Sequence, residues 1–265
     1  MTIEELLKAL ALDTGEQLFA IDDARLGAIK AANDRADAAS GNGVAVIPLQ
    51  GGLANRGYNS LSAFKARVNA AAANSEIGAI VLDVDSPGGT VAGTPEAAAA
   101  VAQAAKAKRV VAVVDTLCAS AAYWIASQAS EIVIAPSGEV GSIGVLAVHM
   151  DMSEMLKNAG INATVMRSVP GKADVSPFEP LSSGALDHMQ AQIGALHAQF
   201  VRAVASGRGA SIDTVSNTYG QGRTLLADQA LRAGMVDKVG SLQDALASLR
   251  TKSGSIRRRS ALAFA

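Results

Sequence analysis

The sequence predicts an α/β domain, in which strands and helices alternate along the chain. Its apolar runs of strand length are continuous rather than alternating, which is typical of strands that helices cover on both faces. Ala-rich segments of helical length separate these runs, near 61–74, 94–107 and 120–129. The runs are VAVIPL (44–49), AIVLDV (79–84), RVVAVV (109–114), EIVIA (131–135) and IGVLAV (143–148).

Other segments flank this alternation. Residues 1–42 are predicted to form a helical extension, since Thr2 and Glu5 make a capping-box pattern at its start. The α/β domain is assigned to residues 43–250, and residues 251–265, with three consecutive arginines, are expected to be a flexible basic tail. A long helix near 182–206 is predicted within the domain, with one apolar stripe for the core or a subunit interface: Leu186, Met189, Ile193, Leu196, Phe200 and Val204.

Composition narrows the class of protein. The chain has 265 residues, 49% of them hydrophobic, which suffices for one well-packed core. A formal net charge of −1 gives no general attraction to nucleic acid or anionic membranes, so neither is expected as a partner. Acidic residues stand where a secretory signal needs basic ones, and a cytoplasmic protein is expected. The single Cys118 lies in an apolar run and is predicted to be buried.

The first stretch with chemical potential is DSPGGT, at 85–90, which follows a predicted strand. Pro87 stiffens the turn, while Gly88 and Gly89 permit backbone angles and close approaches that a Cβ atom prevents. Such a turn can direct amide N–H groups at a developing negative charge. Taken alone, these residues fit an ordinary Pro-Gly turn better than a functional one.

The second stretch is CASAAYWIAS, at 118–127, where a predicted strand gives way to a helix. Ser120 at this junction is either a nucleophile at the helix N-terminus or simply the residue that caps the helix. For a nucleophile, the N–H of Ala121 would be a ready oxyanion donor. The pattern leaves both interpretations open.

A serine nucleophile needs a base, and four side chains are candidates. His188 and His197 fall on opposite sides of the predicted long helix, where we expect surface residues. His149 follows an apolar run, and Lys172 lies in the Pro- and Gly-rich stretch VPGKADVSPFEP. An ordinary lysine has a pKa near ~10.4, so keeping it neutral at pH 7 costs about 4–5 kcal/mol, which burial must supply. The choice between His149 and Lys172 stays open at this point.

Five motifs together resemble the signal peptide peptidase A family of serine proteases, and within it the phage head-maturation (prohead) branch. They occur in the family's order over roughly 43–250, which is far more specific than any one motif. They are DSPGG at 85–89, SAAYW at 120–124, GSIGV at 141–145, GK at 171–172 and GRTLLADQALRAGMVDKVG at 222–240.

The resemblance implies the Clp protease/crotonase-like spiral of ββα units and a Ser-Lys dyad. It assigns the nucleophile to Ser120 and the general base to Lys172. It implies no cofactor and no metal ion. The remaining site residues that it implies are backbone N–H groups of Gly89 and Ala121 as the oxyanion hole, with Gly88 adjacent, and Ser142 as support for the lysine.

The resemblance also implies partners. Members act on protein or peptide substrates, form homo-oligomers and, in the phage branch, cleave scaffold, portal or capsid proteins in the host cytoplasm or the procapsid interior. Two features depart from the family. Ala121 and Ala122 stand where a Gly pair is usual, and the transmembrane anchor of membrane-bound members has no counterpart in the sequence.

Four alternatives remain. A cytosolic signal-peptide-peptidase-like protease would share the dyad, and a Clp-like protease would pair Ser120 with His149 and an acid. A crotonase-like acyl-CoA enzyme would use the oxyanion hole without the serine. A non-catalytic assembly protein would retain only the fold. The tail RRRSALAFA is in addition a candidate scaffold remnant or self-cleavage product.

Overall fold

The computed structural model describes residues 43–55 and 60–249, so the predicted N-terminal extension and the basic tail lie outside the described residues. The strands are β1 (Val44–Leu53), β2 (Ala79–Gly89), β3 (Arg109–Ala119), β4 (Glu131–Ile134), β5 (Glu139–Gly141), β6 (Thr224–Leu226) and β7 (Lys238–Val239). The helices are α1 (Leu61–Ala73), α2 (Thr94–Ala107), α3 (Ala121–Ala126), α4 (Ser153–Asn158), α5 (Ser183–Arg208), α6 (Ile212–Thr218), α7 (Ala227–Ala233) and α8 (242–249).

The strands form one seven-stranded sheet. Its main path is parallel, in the order β1-β2-β3-β4-β7. Strand β3 pairs first with β4 and, over its last three residues, with β5, which in turn pairs antiparallel with β6. Because the parallel strands share a direction, the ends of β2 and β3 meet at one edge of the sheet. This edge is where open α/β sheets usually place a site.

Both faces of the sheet are covered, which explains the continuous apolar runs. On one face, side chains such as Ile80 and Leu82 pack against α1, α2, α3 and α5. On the other face, Val81 and Val113 pack against Ala245 and Leu249 of α8. Successive residues of a strand point to opposite faces, so each must be apolar where both faces are buried. The first four predicted strands are thereby confirmed.

The fifth predicted strand, IGVLAV at 143–148, is wrong. No strand forms over these residues, and Leu146 and Val148 are 83% and 77% exposed. The composition suits a strand, but a strand also needs a neighbour for its N–H and C=O groups. Within the described residues no other strand pairs with this run.

The predicted long helix is confirmed as α5, although its apolar stripe divides into two parts. The Ser182 hydroxyl caps its start by accepting the Ala185 N–H at 3.1 Å. Phe200 and Val204 in the C-terminal half are buried in the core, whereas Leu186 in the N-terminal half is 53% exposed. Among the described residues, neither α5 nor any other helix is long and apolar enough to cross a membrane.

Candidate active site

Ser120 lies at the junction of β3 and α3 with an unusual backbone. Its φ of 51° and ψ of −124° place a non-glycine residue at positive φ, a conformation that surrounding contacts must hold. Its N–H donates to the Gly141 carbonyl at 2.8 Å, and its own carbonyl accepts the Trp124 N–H at 3.0 Å. Although Ser120 is the N-cap residue, its side chain makes no capping hydrogen bond. The hydroxyl is therefore not used as a helix cap.

Helix α3 supports Ser120 rigidly, because all six residues of the helix are buried. The Tyr123 hydroxyl donates to the Met235 carbonyl at 2.9 Å, and burial raises the pKa of this phenol. The Trp124 ring stacks on Phe200 with ring centroids 4.5 Å apart. Tyr123 and Trp124 are thus packing residues. Cys118, two residues before Ser120, is buried, as predicted.

The DSPGG turn at the end of β2 lies directly against Ser120. Gly88 has φ +94°, and a methyl group added there would lie 2.8 Å from Ser120 Cβ and 2.9 Å from the Ala121 nitrogen. A methyl group at Gly89 would lie 1.9 Å from the Leu53 carbonyl oxygen. Both positions therefore require glycine, since a Cβ atom would clash with backbone atoms.

The backbone N–H groups of this turn are not equivalent. The Gly88 N–H donates to Ser86 Oγ at 3.1 Å, and the Thr90 N–H donates to the Leu53 carbonyl of β1 at 2.9 Å. Successive N–H groups of a strand point to opposite edges, so the Gly89 N–H points away from β1. Its pairing with β3 has already ended, at Ser86 and Cys118. The N–H groups of Gly89 and Ala121, rather than that of Gly88, are therefore the candidates for binding an anion beside Ser120.

Two distant motifs meet behind the serine. Gly141, whose carbonyl binds the Ser120 N–H, pairs with Thr224 of β6 across the β5-β6 ladder. Ser142 follows at φ 53°, and its N–H donates to the Arg223 carbonyl at 3.0 Å. The GSIGV and GRTLL motifs thus pair with each other, and GSIGV bonds to Ser120 through the Gly141 carbonyl. Ser142 is the residue after Gly141 in the chain.

Among the described residues, no basic side chain is hydrogen-bonded to Ser120. Lys172 lies on an exposed 3₁₀ turn, Pro170–Ala173. His149, which directly follows the unpaired run, is half-buried, and its Nε2 atom has no hydrogen-bond partner among the described residues. In the described part of the chain, neither side chain is hydrogen-bonded to Ser120. The same residues contain no group of three or more His, Cys, Asp or Glu side chains arranged to hold a metal ion.

A cavity of about 330 Å³ lies behind the GSIGV segment. Sequence reasoning missed it, because its walls come from three separate regions and α6 was not predicted. The sequence signal for α6 is its N-cap residue, Ser211. The Ser211 hydroxyl accepts a hydrogen bond from the Thr214 N–H at 3.0 Å. The residues lining the cavity are Ile143, His197, Val201, Val215, Ser216, Tyr219, Gln221 and Gly222.

Comparison with solved structures identifies the structural class of the fold. A solved structure of a mutant of the 1510-N membrane-bound stomatin-specific protease matches with a TM-score of 0.52 at 16% sequence identity, covering 77% of this chain and 83% of that one. Such a likeness concerns the fold alone, and it confirms the Clp protease/crotonase-like class predicted from the sequence.

The family is shown by the sequence itself. The model of peptidase family S49 matches residues 102–255, more than half of the chain, and this range includes Ser120 and Lys172. The chain therefore belongs to peptidase family S49.

Two curated phage relatives agree with this assignment. The head-tail preconnector protein GP5 of Enterobacteria phage P21 is 30% identical over 218 residues, which is 79% of this chain and 43% of that protein. The capsid assembly protease C of Escherichia phage lambda is 30% identical over 220 residues, 79% of this chain and 49% of that protein. The chain thus spans less than half the length of either relative.

Proposed function

We propose that the chain is a serine endopeptidase in which Ser120 Oγ attacks the substrate carbonyl. The geometry of Ser120 carries this proposal: the residue is held at φ 51° at the start of α3, its hydroxyl is free of capping, and the Gly88 turn lies against it. A strained serine held beside two candidate oxyanion donors suits nucleophilic catalysis better than helix capping.

The proposed reaction follows from the positions of the donors. As the Ser120 oxygen bonds to the carbonyl carbon, its proton passes to the neutral Lys172 amine. The N–H groups of Gly89 and Ala121 bind the resulting oxyanion, where fixed dipoles stabilise the transition state more than the substrate. Lys172 then protonates the leaving amine, and a water molecule, deprotonated by the same lysine, hydrolyses the acyl-enzyme.

In this proposal the lysine comes to the serine on assembly. Lys172 is exposed in the single chain. The segment that carries it, residues 143–182, exposes large apolar side chains: Leu146, Val148, Met166, Val169 and Val175. Exposed apolar surface of this extent marks an interaction site. A second copy packed on this segment would bury the Lys172 amine and so favour its neutral form. The homo-oligomer is thus part of the proposed active state.

The cavity behind Ile143 is the proposed subsite for a substrate side chain. Ile143 lies two residues after Gly141, whose carbonyl binds the Ser120 N–H at 2.8 Å. Its buried walls include Val201 and Val215, and a volume of about 330 Å³ accommodates one apolar side chain of medium size. Cleavage is therefore proposed to follow such a residue, because burying it contributes binding energy.

The proposed natural substrates are proteins of a phage or prophage head. Support comes from the two relatives, whose names refer to a head-tail preconnector and to capsid assembly. Scaffold, portal and capsid proteins of the same genome are the candidates, inside a procapsid or the host cytoplasm. The mature termini of those proteins would reveal the cleavage sites.

The test is casein cleavage together with fluorophosphonate labelling of the wild type and three variants, each checked for folding and assembly. Ser120→Ala is expected to abolish both signals, and Lys172→Ala to lower casein cleavage at least ~100-fold, a typical effect of losing a general base. His149→Ala should be nearly silent. Lys157→Ala is the matched control, since Lys157 is an exposed lysine of the same segment.

Three results would contradict the proposal. Activity that survives Lys172→Ala and disappears in His149→Ala would assign a Clp-like triad. A wild type that is never labelled at Ser120 in its assembled form would leave a non-catalytic assembly role. Tight acyl-CoA binding without peptide cleavage would instead indicate a crotonase-like enzyme.

A further inference from the structure

Ser86 is a fully buried residue of the DSPGG turn, and its hydroxyl bonds to the neighbouring strand β1. It is 0% exposed. Its hydroxyl donates to the Gly51 carbonyl of β1 at 2.6 Å and accepts the Gly88 N–H at 3.1 Å. A hydroxyl has one proton to donate, so a single side chain links a neighbouring strand to the turn that touches Ser120.

The register of the sheet is irregular at Ser86. On the β1 side, the register passes from Gln50 opposite Asp85 to Gly52 opposite Gly88, so the ladder shifts. On the β3 side, the register shifts again between Val84 and Ser86. The ordinary ladder therefore fails on both sides of this residue, and a bulge of this kind redirects the backbone. The Ser86 hydroxyl supplies the hydrogen bonds that the interrupted ladder does not.

We infer that Ser86 is a positioning residue for the oxyanion hole. Its bond to Gly88 fixes the turn at φ +94° against Ser120 and occupies the Gly88 N–H. The next N–H, that of Gly89, is left as the donor that faces away from β1. This inference rests on the proposed function, because it assigns Ser86 a role only if Ser120 reacts through an oxyanion.

Replacement of Ser86 removes two interactions at once. In Ser86→Ala the buried Gly88 N–H and the part-buried Gly51 carbonyl lose their shared partner, so the turn gains an incentive to rotate. A small rotation moves the Gly89 N–H from the oxyanion and matters most in the transition state. We therefore expect kcat to fall while KM changes little. Before the reaction the carbonyl oxygen of the bound substrate carries no full charge, so substrate binding does not depend on this donor.

The chain offers a matched control in Ser127. It is also 0% exposed, and its hydroxyl also makes two bonds: it donates to the Trp124 carbonyl at 2.7 Å and accepts from Gln128 Nε2 at 2.8 Å. Neither partner belongs to the DSPGG turn. Ser127→Ala therefore reproduces the loss of a buried hydroxyl without disturbing the proposed donor.

The experiment uses the full-length assembled protein and a substrate peptide that spans a casein bond cleaved by the wild type. A fluorophosphonate titrates Ser120. Per titrated site, Ser86→Ala should lower kcat and the rate of phosphonylation by about 10- to 100-fold, short of the loss of a whole oxyanion donor, with KM within about twofold. Ser127→Ala should keep both rates. Ser86→Thr, which retains the hydroxyl, should recover most of the loss.

The outcomes separate this inference from the proposed function. A wild type that is neither labelled nor active would overturn the function itself. A labelled, active wild type with Ser86→Ala reacting at the same rate, or slowed no more than Ser127→Ala, would overturn only the positioning role. If Ser86→Ala does not fold, Ser86→Cys replaces it, with an intermediate rate expected and an unchanged rate contradicting the inference.

Discussion

Gly88 is the residue at which backbone conformation and candidate chemistry are most tightly joined. Gly88→Ala would place a methyl group 2.7 Å from the Ala119 carbonyl oxygen and impose an L-residue on φ +94°. We expect a loss of stability of about 1–3 kcal/mol from the strain. Activity should fall at least ~100-fold, because the turn must move away from Ser120. Urea unfolding and casein cleavage measure the two effects.

Gly194→Ala is the control for Gly88→Ala. A methyl group at Gly194, within α5, meets no atom within 4 Å. Alanine favours the helix, so we expect full activity and stability unchanged or raised by up to about 1 kcal/mol. If both variants behave alike, the contact between Gly88 and Ser120 is not what limits substitution.

Single residues also mark the limit of prediction from sequence. Ser120 and the DSPGG glycines were identifiable, because a strand-to-helix junction and a Pro-Gly turn are local patterns. The pairing of Ser86 with Gly51 was not, since it depends on a register shift between strands that lie 35 residues apart at this bond. The DSPGG motif contained Ser86, and a serine before a Pro-Gly turn is a recognised signal for a side-chain-to-backbone bond.

The elements were predictable wherever the chain itself completes them. Strands β1 to β4 and the long helix have their partners within the described residues, so periodicity and composition sufficed. Residues 143–148 have the composition of a strand but, in the described part of the chain, no neighbouring strand, so the same reasoning failed. The cavity walls lay beyond prediction for a related reason, because α5, α6 and Ile143 meet only in the folded chain.

Helix α5 allows a direct test of its divided stripe. Phe200 is buried against Trp124, so Phe200→Ala should lower the free energy of unfolding by about 3–5 kcal/mol, the usual effect of removing a core aromatic. Leu186→Ala changes an exposed residue of the same helix and should alter it by no more than about 0.5 kcal/mol. Equal losses in urea denaturation would contradict the division of α5 into a core half and an exposed half.

The end of α5 is tied to the residue before β7 by an ion pair that makes stability depend on pH. Arg208 Nη2 donates to Asp237 Oδ1 at 2.8 Å, and the Ile132 N–H donates to Oδ2 at 2.7 Å. Burial by itself would raise the pKa of Asp237, but these bonds outweigh it and lower the pKa. A lowered pKa stabilises the folded state above the ordinary aspartate pKa, and this contribution is lost as pH falls through the folded value.

Asp237→Asn should therefore lower stability at pH 7 by about 1–3 kcal/mol, moderated by solvent because the carboxylate is 38% exposed. The difference from the wild type should narrow as the pH falls below ~4, where the carboxylate of the unfolded wild type takes up a proton, and should vanish below the lower pKa of the folded state. Thermal unfolding between pH 3 and 7 measures this. Glu154→Gln, which breaks an exposed pair with Lys157, should show no comparable effect. A constant difference across the range would assign the loss to packing.

At the scale of the whole molecule, the chain assembles only part of the proposed site. Gly88, Gly141 and Arg223 come from three distant parts of the sequence and converge on or behind Ser120. Lys172 is exposed and, within the described residues, is not hydrogen-bonded to Ser120, although it lies in the same family match. The proposed nucleophile and its proposed donors are thus positioned by the fold, whereas we propose that assembly supplies the base.

This division predicts that two inactive variants restore each other. Ser120→Ala retains Lys172, and Lys172→Ala retains Ser120. If a neighbouring copy supplies the lysine, equal amounts mixed at random should recover about a quarter of wild-type activity, because a quarter of the interfaces join an intact serine to an intact lysine. Native mass spectrometry must show that subunits have exchanged. Mixed oligomers that cleave no casein would place both residues of the dyad in one chain, with the 143–182 segment rearranging on assembly to carry Lys172 to its own Ser120.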